Sequence, residues 1–227
     1  MTYKITYYGH STVGLEIDGL QILIDPFFKD NPSTKTEPIA LKPDYILVSH
    51  GHGDHVGDTV EIVQQSGAKV ITNAEIARWL GDKGAEVHPQ HIGGGHDYPF
   101  GYVKLTQAVH GSALPDGSYG GMPAGFLITT GKGEKIYHAG DTGLFAGMSL
   151  IGEEGIHLAL LPIGDNYTMG PDDALRAVKL IQPKYAIPIH YNTWDLIAQD
   201  PAAWKKRVES ETDTIVHVLQ ADKSIEL

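Results

Sequence analysis

Hydrophobic and polar residues alternate at the start of the chain, which predicts β-strands. Tyr3–Tyr8 and Thr12–Ile17 alternate with a period of two, and a third strand is predicted at Gln21–Asp25 after a glycine turn. The continuous apolar run Tyr45–Ser49 is typical of a strand that is buried on both faces. The sequence therefore predicts an antiparallel meander followed by a buried strand.

Further along the chain, helical and strand patterns follow one another. Helices are predicted at Asp58–Ser66, from Asn73 as the cap to about Leu80, from Pro171, and at Pro201–Glu209. The remaining predicted strands are Lys69–Thr72, Tyr102–Val109, Phe126–Thr130, Lys135–Ala139, Leu158–Ile163, Tyr185–Ile189 and Thr214–Leu219. Two sheets packed face to face with outer helices would account for this count, but periodicity alone leaves other mixed α/β arrangements open.

Composition narrows the class of protein. A chain of 227 residues can form one large domain or two small ones, and we expect a single domain over residues 1–227. The absence of cysteine excludes disulfides, cysteine zinc fingers and thiol catalysis. The first residues lack the apolar core of a secretory signal, and no apolar run is long enough for a membrane helix. A cytoplasmic protein without a membrane partner is therefore expected.

The candidate chemistry lies directly after the buried strand. The segment Ser49–Gly57 places His50, His52, Asp54 and His55 within six residues, and its glycines allow the backbone to crowd these side chains together. Neutral imidazole and carboxylate are good ligands for zinc and similar ions. Four such ligands cannot all reach one ion without strain, so two ions are predicted, with one pair of ligands on each.

Three further residues are candidate ligands because each follows an apolar strand. His110 follows Tyr102–Val109, Asp141 comes just after Lys135–Ala139, and His190 follows Tyr185–Ile189. Loops of a sandwich that follow strand ends in this way are where functional residues gather. We therefore expect these side chains to complete the coordination that the first motif begins.

The order of these residues resembles the metallo-β-lactamase superfamily. The pattern His50-x-His52-x-Asp54-His55 is followed by the three later candidates, and Asp25-Pro26 fits the acidic position after an early strand. The resemblance implies an α/β fold, the αββα sandwich of two mixed sheets with helices on the outer faces and the site at one edge. It also implies a ligand set: His50, His52 and His110 for the first metal, Asp54, His55 and His190 for the second, and Asp141 as the bridge.

A narrower resemblance concerns the predicted substrate. Gly9-His10-Ser11-Thr12, Gly140–Gly143 and Gly164–Gly170 resemble a bacterial group of metal-dependent hydrolases without a settled substrate, similar to the ascorbate-6-phosphate lactonases. Some members that hydrolyse β-lactams have a cysteine at the position of Asp141. Because this chain has no cysteine, antibiotic hydrolysis is not the predicted activity.

Several residues receive predicted roles around the metals. Asp54 is predicted to be both a ligand and a catalytic proton acceptor, and Asp25 to orient a ligand histidine. His10 either binds substrate or shuttles a proton as a catalytic residue, or is a turn residue bonded to backbone. Predicted substrate contacts are Asn166, Tyr191 and Asn192, while Trp194 fits either substrate contact or core packing.

The predicted function is hydrolysis of a small ester, lactone or phosphoester by a metal-bound hydroxide, with zinc as the first choice of metal and manganese or iron as alternatives. A phosphodiesterase or nuclease, a di-iron redox protein, and a binding protein with a degenerate site are the competing predictions. The net charge of −11 disfavours nonspecific nucleic-acid binding, although bound cations can reverse the sign locally. A small-molecule substrate is expected, and a homo-oligomer is one possible assembly.

Overall fold

The first sheet of the computed structural model, which describes residues 3–227, contains seven strands. In chain order these are β1 (Tyr3–Gly9), β2 (Thr12–Ile17), β3 (Leu20–Ile24), β4 (Tyr45–Leu47), β5 (Lys69–Asn73), β6 (Val87–Gln90) and β14 (Lys223–Glu226). Their spatial order is β14-β1-β2-β3-β4-β5-β6. Strands β1 to β3 form the predicted antiparallel meander, whereas β3 to β6 run parallel.

The second sheet repeats this organisation with seven strands in the order β13-β12-β11-β10-β9-β8-β7. They are β7 (Gly95–Tyr98), β8 (Gly101–Gln107), β9 (Ala124–Thr129), β10 (Lys135–His138), β11 (Leu158–Pro162), β12 (Tyr185–Ile189) and β13 (Ile215–Val216). Strands β7 to β10 are antiparallel and β10 to β13 are parallel. The predicted strand Thr214–Leu219 is wrong in length, because only two of its residues pair with β12.

Six α-helices lie within the described residues. They are α1 (Gly53–Val56), α2 (Thr59–Ser66), α3 (Ala74–Gly81), α4 (Met148–Gly152), α5 (Pro171–Ile181) and α6 (Pro201–Glu211), and short 3₁₀ turns occur at Pro38–Ala40 and Asp195–Ile197. As predicted, Asn73 caps α3, since its side chain accepts a hydrogen bond from the backbone N–H of Ile76. Helices α1 and α4 were not predicted from the sequence.

Three apolar clusters define the layers. Strand β11 shows how they are separated: Leu158 and Leu160 face the core between the sheets, whereas Ala159 and Leu161 face the helices. The inner cluster takes residues from both sheets. One outer cluster joins the second sheet to α4, α5 and α6, and the other joins the first sheet to α2 and α3. The layer order is therefore helices, sheet, sheet, helices.

The parallel halves of the two sheets place their carboxyl ends at one edge of the sandwich. The chain leaves β3 into Asp25, β4 into the 49–57 segment, β10 into Asp141 and β12 into His190. Residues that follow parallel strands meet at the same edge, which is where open α/β sheets bind ligands. Within residues 3–227 no helix is both long enough and apolar enough to cross a membrane.

Candidate metal centre

The histidine-rich motif is shaped by the short helix α1, which contains Asp54 and His55. The carbonyl of His52 accepts hydrogen bonds from the backbone N–H groups of His55 and Val56 at 3.0 and 2.9 Å, so the chain turns at once after β4. Gly57 ends this turn at φ 31°, and a Cβ atom there would lie 2.2 Å from the carbonyl oxygen of Pro26. A glycine is therefore required where the motif leaves the site.

Three imidazoles form the first group of donors. His50 Nε2 lies 3.0 Å from His52 Nδ1. The ring of His110 lies with its centroid 5.1 Å from those of both other rings. One donor atom from each of the three lies within 4.8 Å of the others. The structure thus brings together the three residues predicted to hold the first metal.

A second group forms on the other side of the motif. Donor atoms of Asp54, His55 and His190, the predicted ligands of the second metal, lie within 4.8 Å of one another, and His10 joins the same group. The rings of His55 and His190 are nearly parallel, with centroids 6.0 Å apart. His190 is held in the left-handed region at φ 53°, and its backbone N–H donates to the carbonyl of His10 at 2.7 Å. Such costly backbone conformations cluster at functional sites.

Asp141 lies between the two groups. Its Oδ2 is 2.9 Å from His190 Nε2 and 3.6 Å from His110 Nε2, and its Oδ1 is 3.3 Å from His55 Nε2. One buried carboxylate therefore contacts imidazoles from both groups. The resemblance implies that Asp141 bridges the two metals, and the structure places its carboxylate between the two groups.

Asp25 supports the motif from behind. It is fully buried, and its carboxylate accepts hydrogen bonds from the backbone N–H of Ser49 at 2.7 Å, the Ser49 hydroxyl at 2.6 Å and His55 Nδ1 at 2.8 Å. The last bond leaves Nε2 of His55, which faces Asp141, as the atom that can bind a metal ion. The contact is the one predicted for Asp25.

Ser49 extends this support to a second imidazole and was not identified from the sequence. Its hydroxyl donates to Asp25, so its oxygen is available to accept from Nδ1 of His50 at 3.0 Å. That arrangement leaves Nε2 of His50, on the side of His52, as the atom that can bind a metal ion. A serine directly before the first histidine is the only sequence signal for this role.

His10 lies behind Asp54 and is fully buried, so it does not reach the cavity surface itself. Its Nε2 lies 3.1 Å from Asp54 Oδ2 and its Nδ1 lies 2.7 Å from the Thr193 hydroxyl. Burial lowers the pKa of His10 to about 4, so the imidazole is neutral at neutral pH. The neutral ring has two tautomers. In one, Nε2 donates a hydrogen bond to Asp54; in the other, Nδ1 donates to Thr193 and the lone pair of Nε2 is available to a metal ion.

The residues of both groups fit divalent cations. His55 Nε2 and Asp141 Oδ1 lie 3.3 Å apart and are buried, yet neither makes a hydrogen bond, which is rare unless another ligand satisfies them. Burial lowers the pKa of His50 and keeps it neutral, as a ligand must be. Burial acts in the same direction on His55, but Asp141, Asp25 and Asp54 outweigh it and raise the pKa well above its usual value. These three carboxylates thus stabilise a positive charge at the position of His55.

A cavity of about 430 Å³ opens onto the donors. Its wall consists of His52, Gly53, Asp54, His110, Asp141, Tyr167, His190 and Trp194. The predicted substrate residues lie elsewhere: Asn166 is exposed, Tyr191 packs in the outer core, and Asn192 accepts a hydrogen bond from the backbone of Gln199. Within residues 3–227, the tyrosine and tryptophan side chains that line this cavity are instead Tyr167 and Trp194.

Known proteins share both the sequence and the fold. A family model for the β-lactamase superfamily domain matches residues 21–191. A UPF0173 metal-dependent hydrolase of Bacillus cytotoxicus is 51% identical over 230 residues, which cover 99% of this chain and 100% of the relative. Igni18, a metallo hydrolase from Ignicoccus hospitalis, is 40% identical with a TM-score of 0.91, and 100% of each chain is covered. The metallo-β-lactamase fold protein YhfI from Bacillus subtilis is 13% identical with a TM-score of 0.78 over 100% of both chains, so the predicted sandwich fold is confirmed.

Proposed function

Because this chain belongs to the UPF0173 metal-dependent hydrolases of the metallo-β-lactamase superfamily, we propose that it hydrolyses a small ester, lactone or phosphoester at a site for two divalent cations. The observation that carries this proposal is the position of Asp141. Its two carboxylate oxygens contact imidazoles of both donor groups, at 3.3 Å for His55 and 3.6 Å for His110. A single-ion site would not need the second group.

In this proposal one cation is held by His50, His52 and His110. The other cation is held by Asp54, His55 and His190, and Asp141 contributes to both. Zinc is the first choice, and manganese or iron suits the same nitrogen and oxygen donors. Divalent cations bound in this way lower the pKa of water and polarise a carbonyl or phosphoryl oxygen.

Asp54 is the residue we assign to proton transfer. It lines the cavity, and its side chain is 25% exposed, so it can meet both water and substrate. Burial would raise the pKa of its carboxyl, but His55 and the hydrogen bond from His10 lower it below the usual range. The carboxylate is therefore ionised and able to accept a proton from water as that water attacks.

His10 positions this carboxylate. Its Nε2 lies 3.1 Å from Asp54 Oδ2, and Thr193 holds its other ring nitrogen. Because His10 is fully buried, any proton that it shuttles passes through Asp54 and not directly to the substrate. The role of His10 is thus to orient Asp54 and to share a proton with its carboxylate.

The wider setting is part of the same proposal. We assign the whole chain to one domain of a cytoplasmic enzyme with a small-molecule substrate, and a homo-oligomer is the assembly that we propose for it. The net charge of −11 supports a small substrate over a long nucleic acid.

The proposal is tested by replacing Asp54 with asparagine. Wild type and Asp54→Asn, each supplied with zinc or manganese, are assayed on esters, lactones and phosphodiesters. Asparagine keeps the size of the side chain but cannot accept the proton, so kcat should fall by about 10²–10⁴-fold on the best substrate. Asp172→Asn, whose exposed carboxylate lies outside the cavity wall, should retain full activity. Equal activity of Asp54→Asn and wild type contradicts the proposed role.

A further inference from the structure

The cavity wall has a chemical character that bears on the substrate, and this inference rests on the proposed function. Apart from the ligand side chains and Gly53, the wall consists of Tyr167 and Trp194. It includes no lysine or arginine from residues 3–227. The net charge of the chain is −11, so no general positive field compensates for this.

Trp194 is held at the cavity by a braced loop. Its ring packs edge-on against His10 with centroids 5.0 Å apart, yet 42% of the residue remains exposed. The backbone N–H of Asn192 donates to the carbonyl of Ile197 at 2.9 Å, and the Asn192 side chain accepts from the backbone of Gln199 at 2.7 Å. Asn192 therefore shapes the loop that presents the indole.

Tyr167 is presented by a loop of unusual conformation. Asp165 and Asn166, which precede it, both lie in the left-handed region at φ 62° and 51°. The loop is closed by hydrogen bonds from the backbone N–H of Asp165 to the carbonyl of Met169 at 3.0 Å and from Met169 N–H to the carbonyl of Thr142 at 2.9 Å. Two consecutive residues in this region cost conformational energy, and their result is a tyrosine that is 52% exposed at the cavity.

An exposed aromatic pair beside a site without basic residues favours a particular kind of ligand. Aromatic side chains bind apolar groups through large buried areas. The proposed cations would offset part of the charge of a phosphoester, but this wall adds no guanidinium or ammonium partner, which such recognition normally uses. We propose that Tyr167 and Trp194 bind an uncharged apolar group of the substrate, and that the site selects apolar carboxylic esters or lactones over phosphoesters.

The selected reaction is ordinary acyl hydrolysis. The oxygen of water forms a bond to the carbonyl carbon, and the acyl C–O bond breaks. The alkoxy group leaves as the alcohol with one proton from that water, while the acid releases the other proton. In a lactone the acid and the alcohol are two ends of one product. No co-reactant besides water is required.

The kinetic test compares short and long acyl chains. Metal-loaded wild type, Trp194→Ala and Tyr167→Ala are assayed on p-nitrophenyl acetate, p-nitrophenyl octanoate and bis(p-nitrophenyl) phosphate. Each variant should raise KM for the octanoate by about tenfold more than it raises KM for the acetate, because apolar contact area is lost. Trp194→Phe should recover most of the loss. Leu196→Ala is a matched control, since Leu196 is exposed on the same loop but does not line the cavity.

A binding test separates this inference from the proposed function. Octanamide and acetamide are uncharged analogues whose affinities for metal-loaded wild type and Trp194→Ala are measured by calorimetry. Octanamide should bind wild type at least about tenfold more tightly than acetamide, and this difference should shrink in the variant. Equal affinities for both amides in wild type, or preference for the phosphodiester in the kinetic panel, overturn the inference even if Asp54→Asn behaves as proposed. Selective octanamide binding without hydrolysis of any probe supports the inference and contradicts the proposed function.

Discussion

Replacement of Asp141 with alanine is expected to reduce kcat/KM by about a thousandfold or more and to leave at most one bound cation per chain. Asp141 is buried and contacts His55, His110 and His190 within 3.6 Å. Its removal takes away the carboxylate that the three imidazoles share, although His55 keeps its bond to Asp25 at 2.8 Å. Steady-state kinetics on the best ester, combined with elemental analysis of the dialysed protein, measure both effects.

The control for this variant is Asp172→Ala, which removes an exposed carboxylate at the start of α5. It should keep both metal content and activity. Circular dichroism of Asp141→Ala establishes that the fold persists. If folded Asp141→Ala retains full metal content and wild-type kcat/KM, Asp141 does not bridge the site.

Replacement of Asp25 with asparagine is expected to weaken metal binding at the His55 side by about 10–100-fold and to lower the free energy of unfolding by about 1–3 kcal/mol. The buried carboxylate accepts from Ser49 and from His55 Nδ1 at 2.8 Å. An asparagine amide can replace only one of these acceptor oxygens, so the imidazole loses its fixed tautomer. Metal titration gives the first quantity, and urea unfolding in the presence of a chelator gives the second.

Ser49→Ala provides the matched comparison. It removes the hydroxyl that lies 3.0 Å from His50 Nδ1 but keeps the carboxylate beside His55. The metal affinity should therefore fall mainly at the site formed by His50, His52 and His110. The free energy of unfolding should change less than in Asp25→Asn. The same loss in both variants, or no change in metal affinity in Asp25→Asn, would show that Asp25 does not orient a ligand.

The sequence predicts the central part of the site because its chemistry is local. His50, His52, Asp54 and His55 follow one buried strand within six residues, and no other common arrangement explains their crowding. Asp141 and His190 were found because they follow strands of the parallel half-sheet, whose carboxyl ends meet at one edge, whereas His110 follows the antiparallel strand β8. Ser49 lies within the motif, but its bond to Asp25 spans 24 residues of chain and depends on the pairing of β3 with β4.

The cavity wall is less visible in the sequence. Tyr167 reaches it only because two preceding residues adopt left-handed conformations, which no local residue pattern specified. The prediction chose Asn192 over Trp194, although the polar side chain braces the loop while the indole lines the cavity. The predicted substrate contacts Asn166, Tyr191 and Asn192 do not line the cavity, whereas Tyr167 and Trp194 do.

Strands could be predicted where apolar and polar residues alternate along them or where all their residues are apolar. Strands β6 and β7 were not predicted because they lie at sheet edges and carry polar residues such as the half-buried His88 and the exposed His96. Strand β14 is formed by pairing with β1 at the other end of the chain, which a local pattern cannot anticipate. The short helix α1 was missed because a glycine begins it and it has only four residues.

The metal content of wild type after reconstitution with zinc and dialysis tests the central claim most directly. Two ions per chain are expected, one in each donor group. His52→Ala and His190→Ala each remove a ligand of a different group and should each retain about one ion. A wild-type content of one ion or fewer, or two ions retained in both variants, would contradict a dinuclear site at these residues.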